Sequence, residues 1–175
     1  MDWHGSIFSL ISLRSFSSIW FWLVLAVSWS AITHNPLGVP FDMVLRARRR
    51  GGQDLRDLEA MVAIQLRRRQ AILQSAGVFI VAAAAALTGM AVLGFGYGFE
   101  LAQAVTLLLT PMTLVGLLRL QLMARLTRDS QIGGDELCRR LTWHRTGVQA
   151  IGLLAILITA LWGMWYNLNI RALGG

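Results

Sequence analysis

The chain has 175 residues, of which 55% are hydrophobic and only 14% are charged, and its formal net charge is +7. This composition is too apolar for an ordinary soluble domain and predicts a membrane protein, which leaves little room for a soluble catalytic domain. All 16 basic residues are arginines, so guanidinium groups carry all of the basic charge.

Four apolar segments define the predicted architecture. Each contains a stretch without Asp, Glu, Lys or Arg that is close to or above the roughly 20 residues needed to cross a bilayer core. The sequence therefore predicts an all-α integral membrane protein with a single domain over residues 1–175. The predicted transmembrane helices cover residues 16–34, 71–94, 100–118 and 146–167, and two longer loops cover residues 35–70 and 119–145.

The arginines are distributed unevenly along the chain. The loop over residues 35–70 has eight and the loop over residues 119–145 has six, whereas each chain end has one and the turn between the second and third spans has none. By the positive-inside rule both Arg-rich loops are cytoplasmic, so both termini lie outside. Tryptophans near the outer ends of the first and fourth spans agree with this N-out, C-out orientation.

Amphipathic helices are predicted between the first and second spans. Two prolines in THNPLGVP end the first helix, and the following FDMVLRARRRGG places Phe41, Val44 and Leu45 on one side. This segment is typical of a helix that lies on anionic lipid of the inner leaflet. A second amphipathic helix covers residues 54–69. The arginines predicted to contact lipid or a protein partner are Arg46, Arg48, Arg49, Arg50, Arg67, Arg68, Arg69, Arg139 and Arg140.

The stretch GFGYGFE, residues 94–100, contains the Gly-Tyr-Gly sequence of a potassium selectivity filter. A filter also needs threonine and valine before this sequence, in a loop that re-enters the membrane after a pore helix. Here Gly94 and Phe95 occupy those positions, and the preceding helix has already crossed the membrane. The stretch therefore predicts a tight glycine-rich turn between the second and third spans.

A second internal pattern leaves an alternative open. RRRGGQDLRDL and SQIGGDELCRRL, residues 48–58 and 130–141, each place a glycine pair shortly before an acidic residue and a leucine. The repetition favours two tandem hairpins, although so short a match also arises by chance. In the second copy, Asp135 is a candidate N-cap for the helix of the fourth span.

The candidate cofactor site is a histidine pair. The predicted topology brings His34, at the end of the first span, and His144, before the fourth span, to the same interface. Two histidines on different helices can ligate a haem iron axially, so the pair is a candidate haem b site. The alternative is that both imidazoles lie beside headgroups and the chain has no cofactor. Cys138, the single cysteine, excludes an internal disulfide and is predicted to be a thiol on the cytoplasmic surface.

Other function classes find little support in the sequence. Because it has no Ser-His-Asp, Cys-His, phosphate-loop or metalloprotease pattern, the chain is predicted not to be an enzyme. The spans hold no buried ionisable residue of the kind that pumps use. The Arg-rich loops lack interleaved aromatic residues, which argues against nucleic acid binding. The remaining prediction is an accessory or scaffold protein that binds anionic phospholipid and recruits a partner at its cytoplasmic face.

Two stretches carry a resemblance to a known family. RSFSSIWFWLVLAVSWS and LGVPFDMVLRARRRGGQDLRDLE, residues 14–30 and 37–59, resemble small bacterial polytopic membrane proteins labelled "component of SufBCD complex"; the likeness is strongest over residues 1–60. The resemblance implies a multi-pass protein of the bacterial inner membrane associated with iron–sulfur cluster assembly. A cluster scaffold needs several thiolates, so this chain, with one cysteine, would be a membrane partner of that machinery.

Overall fold

The computed structural model describes residues 19–34, 36–129 and 132–172, without the side chains of residues 33, 34, 36 and 170–172. Every regular element in this part of the chain is helical, as predicted. Residues 16–18, the predicted start of the first span, lie outside the described residues. The helices are α1 (Ile19–His34), α2 (Phe41–Arg50), α3 (Gly52–Arg68), α4 (Gln70–Gln74), α5 (Ala76–Ala91), α6 (Glu100–Arg128) and α7 (Gly134–Ala172).

Three helical segments are long and apolar enough to cross a membrane. They are α5 with the π-helical turn that follows it (Ala76–Gly96), α6 and α7. The fourth apolar helix, α1, has 16 described residues. At 1.5 Å per residue this length is about 24 Å, shorter than a hydrocarbon core of about 30 Å. The lengths of the three longer helices therefore support the membrane class that composition predicts.

Proline, glycine and turn residues set the boundaries of the helices. Helix α1 ends at His34, two residues before Pro36, because proline cannot donate the backbone hydrogen bond that would continue the helix. Helix α2 begins directly after Pro40. Gly51, with φ 61°, separates α2 from α3. Turns at Arg69 and Ser75 separate the short α4 from α3 before it and α5 after it.

The apolar core between the spanning helices is small and centred on α7. Leu25 and Trp29 of α1 pack against Val115 of α6 and Val148 of α7. Gly152 permits the close approach of α1, because a Cβ there would lie 2.9 Å from the Trp29 ring. Among the described residues, helix α5 packs mainly along α6, and none of its residues is buried. The three helices α1, α7 and α6 thus share a core, and α5 lies at its edge.

The predicted tight turn at GFGYGFE is confirmed, and a buried amide explains its first glycine. The chain leaves α5 through the π-helical turn Val92–Gly96 and enters α6 at Glu100. The Gln103 amide donates to the Gly94 carbonyl at 2.9 Å and accepts from the Trp162 indole of α7 at 3.2 Å. A Cβ at Gly94 would lie 2.7 Å from the Gln103 nitrogen, so only glycine fits here. We call Val92–Gln103 with Trp162 the hairpin end.

Candidate functional site

The opposite end of the bundle is built from helices that are longer than a membrane. Helices α6 and α7 have 29 and 39 residues. They are about 44 and 58 Å long, against about 30 Å of hydrocarbon. Both extend on the side away from the hairpin end. We call residues 119–128 and 134–145 of these helices, together with α2 and α3, the arginine-rich end.

The two Arg-rich segments pack into one layer at this end. Val44 of α2 and Leu58 of α3 are fully buried against the extensions of α6 and α7, where Leu141 is also fully buried. The apolar face of α2 therefore contacts protein at Val44, where the sequence predicted contact with lipid. Glu59 of α3 extends the layer to the first turn of α7, because its carboxylate accepts from the Gly134 N–H at 2.8 Å. The helix begins at Gly134, one residue before the predicted cap at Asp135.

The predicted contact arginines lie on the outer side of this layer. Arg46 pairs with Asp42 at 3.1 Å, and Arg139 and Arg140 both pair with Glu136. The hydrogen bond from Arg140 holds the pKa of the Glu136 carboxyl below its usual value, with the charges of both arginines adding to the effect and burial opposing it. Within the described part of the chain, the exposed arginines without an ion pair include Arg48, Arg49, Arg50, Arg67 and Arg68; Arg69 is half-buried.

Two further arginines connect the layer to the apolar helices. Arg119 of α6 donates to the Ile32 carbonyl at 2.6 Å and so satisfies one of the open carbonyls at the end of α1. The Arg145 guanidinium of α7 lies 3.8 Å from the centre of the Phe41 ring at the start of α2. The sequence had counted both as loop charges. Arg119 thus holds the end of α1 against α6, and Arg145 holds the start of α2 against α7.

A cleft of about 500 Å³ opens between α6 and α7 where the apolar spans give way to charged extensions. It contains two predicted contact residues, Arg139 and Arg140, and one predicted cofactor residue, His144. Arg125 and Trp143, which are not among the predicted contact residues, line the same cleft. The lining residues are Leu118, Gln121, Leu122 and Arg125 from α6, and Glu136, Arg139, Arg140, Trp143, His144 and Gly147 from α7.

Of the predicted histidine pair, the structure describes the side chain of His144 and not that of His34. Both ring nitrogens of His144 are buried, and neither has a hydrogen-bond partner among the described residues. The His34 side chain lies outside the described residues, so the predicted pairing stays a prediction. The described residues contain no group of three or more His, Cys, Asp or Glu side chains that could hold a metal ion.

Cys138 is buried, and the predicted surface thiol is wrong. It lies in the core between α2, α3 and α7, with none of its surface exposed. Burial is the main cause that raises the pKa of the Cys138 thiol; Asp135 and Glu59 add to this effect, and Arg48 opposes it. A raised pKa lowers the thiolate fraction and makes the residue a poor nucleophile.

Relatives of the chain were sought at three levels. No family model, curated protein or solved structure matches it. The resemblance of residues 14–30 and 37–59 to the SufBCD-associated family therefore stays a prediction.

Sequence reasoning could have found part of this cleft. Glu136 stands three and four residues before Arg139 and Arg140, which is the spacing of ion pairs on one helix face. No local signal pointed to Arg125, because its role depends on how α6 packs beside α7. Tertiary packing likewise separates Arg119 and Arg145, which contact the protein, from the exposed arginines.

Proposed function

We propose that the chain is a non-catalytic accessory or scaffold protein of the bacterial inner membrane whose arginine-rich end recruits a protein partner. In this proposal α1 is a fourth span, both termini are outside, and the arginine-rich end is cytoplasmic. The observation that carries the proposal is the packed layer of α2 and α3, which holds exposed arginines on a fixed surface. A charged segment that only interacts with water does not form a buried core, so the core under these arginines favours a fixed binding surface.

The exposed arginines define the chemistry of the partner. Arg49 and Arg50 end α2 without an acidic partner among the described residues, and Arg67 and Arg68 end α3 in the same state. Basic residues at a helix C-terminus complement its dipole and present their charge outward. Planar guanidinium groups pair with carboxylates in bidentate geometry. The partner that fits is an acidic protein surface at the membrane, and the SufBCD assembly is the specific candidate that the sequence resemblance offers.

Capture of the partner tests this proposal. The full chain is purified from membranes in mild detergent after cross-linking, and co-purified proteins are quantified by mass spectrometry. Arg49→Gln/Arg50→Gln should reduce recovery of the partner about tenfold, because desolvated charge pairs dominate such contacts. Arg56→Gln/Arg128→Gln removes the same charge from other exposed positions and should change recovery less than about twofold. Equal recovery in both variants would remove this surface from the model.

The orientation needs a separate test, and the buried Cys138 cannot report it. In a Cys138→Ala background, Tyr97→Cys reports the hairpin end and Arg56→Cys the arginine-rich end; both positions are exposed. An impermeant maleimide added to intact cells should label Cys at position 97 only, according to the positive-inside rule. Labelling of position 56 alone would reverse the proposed topology.

A second candidate function is a redox or small-molecule subunit with haem b held by His34 and His144. The observation that favours it is the buried His144 ring, whose nitrogens have no partner among the described residues. The test is the visible spectrum of the purified chain. A Soret band lost in both His34→Ala and His144→Ala would establish this candidate, and a colourless protein would exclude it.

A further inference from the structure

With the third and fourth spans bounded at residues 118 and 146, as the sequence predicts, the cleft between α6 and α7 begins where the hydrocarbon core ends. At one end it is lined by Leu118 and Gly147, which border the apolar spans, and at the other by Arg125 and Glu136. Arg125 lies seven positions after Leu118 on α6, a rise of about 10 Å. The headgroup layer of a bilayer is about 5–7 Å deep on each side of the core. In the membrane orientation of the proposed function, the cleft is therefore long enough to cross the whole headgroup layer.

The charge of the cleft is positive despite its internal ion pairs. Arg125, Arg139 and Arg140 face one carboxylate, Glu136, so the lining carries a net charge of +2. Glu136 pairs with both arginines of α7 and leaves Arg125 of α6 without an acidic partner in the described chain. Arginines on two facing helices can bind the oxygens of one phosphate group in bidentate geometry.

The remaining lining residues suit the other parts of a phospholipid. The Trp143 side chain is 72% exposed at the mouth of the cleft, a position that tryptophan favours at the membrane interface. Gly147 leaves open space, since a Cβ there would meet nothing within 4 Å. Basic clefts between membrane helices on the cytoplasmic side are known to hold anionic headgroups.

We propose that this cleft is a specific binding site for the phosphate of an anionic phospholipid. The phosphate lies between Arg125 and Arg140, and an acyl chain follows the groove past Leu118 and Gly147. The site rests on the membrane orientation of the proposed function and not on recruitment of a protein. It also differs from diffuse attraction of lipid to the exposed arginines, because only residues of the cleft take part.

Native mass spectrometry of the purified full chain tests the site without any protein partner. The chain is titrated with phosphatidylglycerol or with phosphatidylcholine of the same acyl chains. Phosphatidylglycerol should bind preferentially, and Arg125→Gln/Arg140→Gln should weaken its binding at least about tenfold, because two charge-assisted contacts are lost. The control Arg56→Gln/Arg128→Gln should weaken it less than about twofold. An equal loss in the two variants would mean diffuse attraction and would overturn the proposal.

Two further measurements separate the lipid from other sources of phosphate and from misfolding. Soluble glycerol 1-phosphate, at the same concentration as the lipid, should displace little phosphatidylglycerol; full displacement would overturn the assignment to lipid. Gly147→Leu keeps every charge and fills the apolar end of the cleft, where a Cβ has free space. It should weaken lipid binding several-fold by removing contact area for the acyl chain. Unchanged binding in this variant would overturn the placement in the cleft.

Discussion

The two ends of the molecule differ in how their polar groups are satisfied. At the hairpin end the Gln103 amide joins the Gly94 carbonyl to the Trp162 indole, so three neutral groups satisfy one another. At the arginine-rich end a buried apolar core carries arginines whose charge is mostly exposed. A buried hydrogen-bond network that is complete stabilises a fold, whereas exposed cations without partners contribute little to stability.

The difference indicates which end is available for binding. Charged groups kept free of internal partners favour encounter with anions, and a closed neutral network offers no such contact. The hairpin end is therefore expected to be sensitive to substitutions that disturb Gly94, Gln103 or Trp162. The arginine-rich end should lose stability only when its apolar core is changed, and lose binding when its arginines are changed.

The largest expected effect is on the core of the arginine-rich end. Leu58→Ala removes a fully buried side chain of α3 and should cost about 2–5 kcal/mol in the free energy of unfolding of this layer. Trypsin should then cleave after the arginines of α2 and α3 faster than in the unchanged chain. Ile64→Ala is the control, because Ile64 lies on the same helix and is 48% exposed. Equal cleavage rates in both variants would contradict the packed layer.

Close approach at the hairpin end predicts the next effect. Gly94→Ala places a Cβ 2.7 Å from the Gln103 nitrogen and 3.0 Å from the Ala102 carbonyl carbon, so backbone has to move. We expect a loss of about 1–3 kcal/mol in the free energy of unfolding, measured in detergent micelles. Gly96→Ala, in the same turn, meets only a Val92 methyl at 3.9 Å and should be nearly neutral. A neutral Gly94→Ala would show that the hairpin is not tightly packed.

The two ends also differ in how far the sequence predicted them. The lengths of the apolar segments predicted the long helices, and the prolines and glycines predicted where helices end. The distribution of arginines predicted that both Arg-rich segments lie at one end. These signals can be read because each depends on neighbouring residues in the sequence. The burial of Val44 and Cys138 was missed, since an amphipathic face looks the same whether lipid or protein covers it. The contacts of Arg119 and Gln103 were also missed, because each depends on a residue of another helix.

Removing the bridging amide should have a smaller effect than either packing change. Gln103→Leu leaves the Gly94 carbonyl and the Trp162 indole without their partner. The expected loss is about 1–2 kcal/mol, at the lower end of the range for an unsatisfied buried group, because the indole is only partly buried. Gln149→Leu, an exposed position of α7, should change the unfolding free energy little. Equal stability of the two variants would show that water replaces the amide.

The smallest perturbation uses the native Cys138 thiol as a reporter of the core at the arginine-rich end. Because the thiol is buried and its pKa is raised, maleimide labelling of the folded chain should be at least about tenfold slower than labelling after unfolding. Its rate should also rise at higher pH than the rate for Tyr97→Cys, an exposed position at the hairpin end. Leu58→Ala should accelerate labelling of Cys138, because both residues belong to the same core. Fast labelling of the folded chain would mean that the layer is open, and the arginines would then lack the fixed surface on which partner recruitment depends.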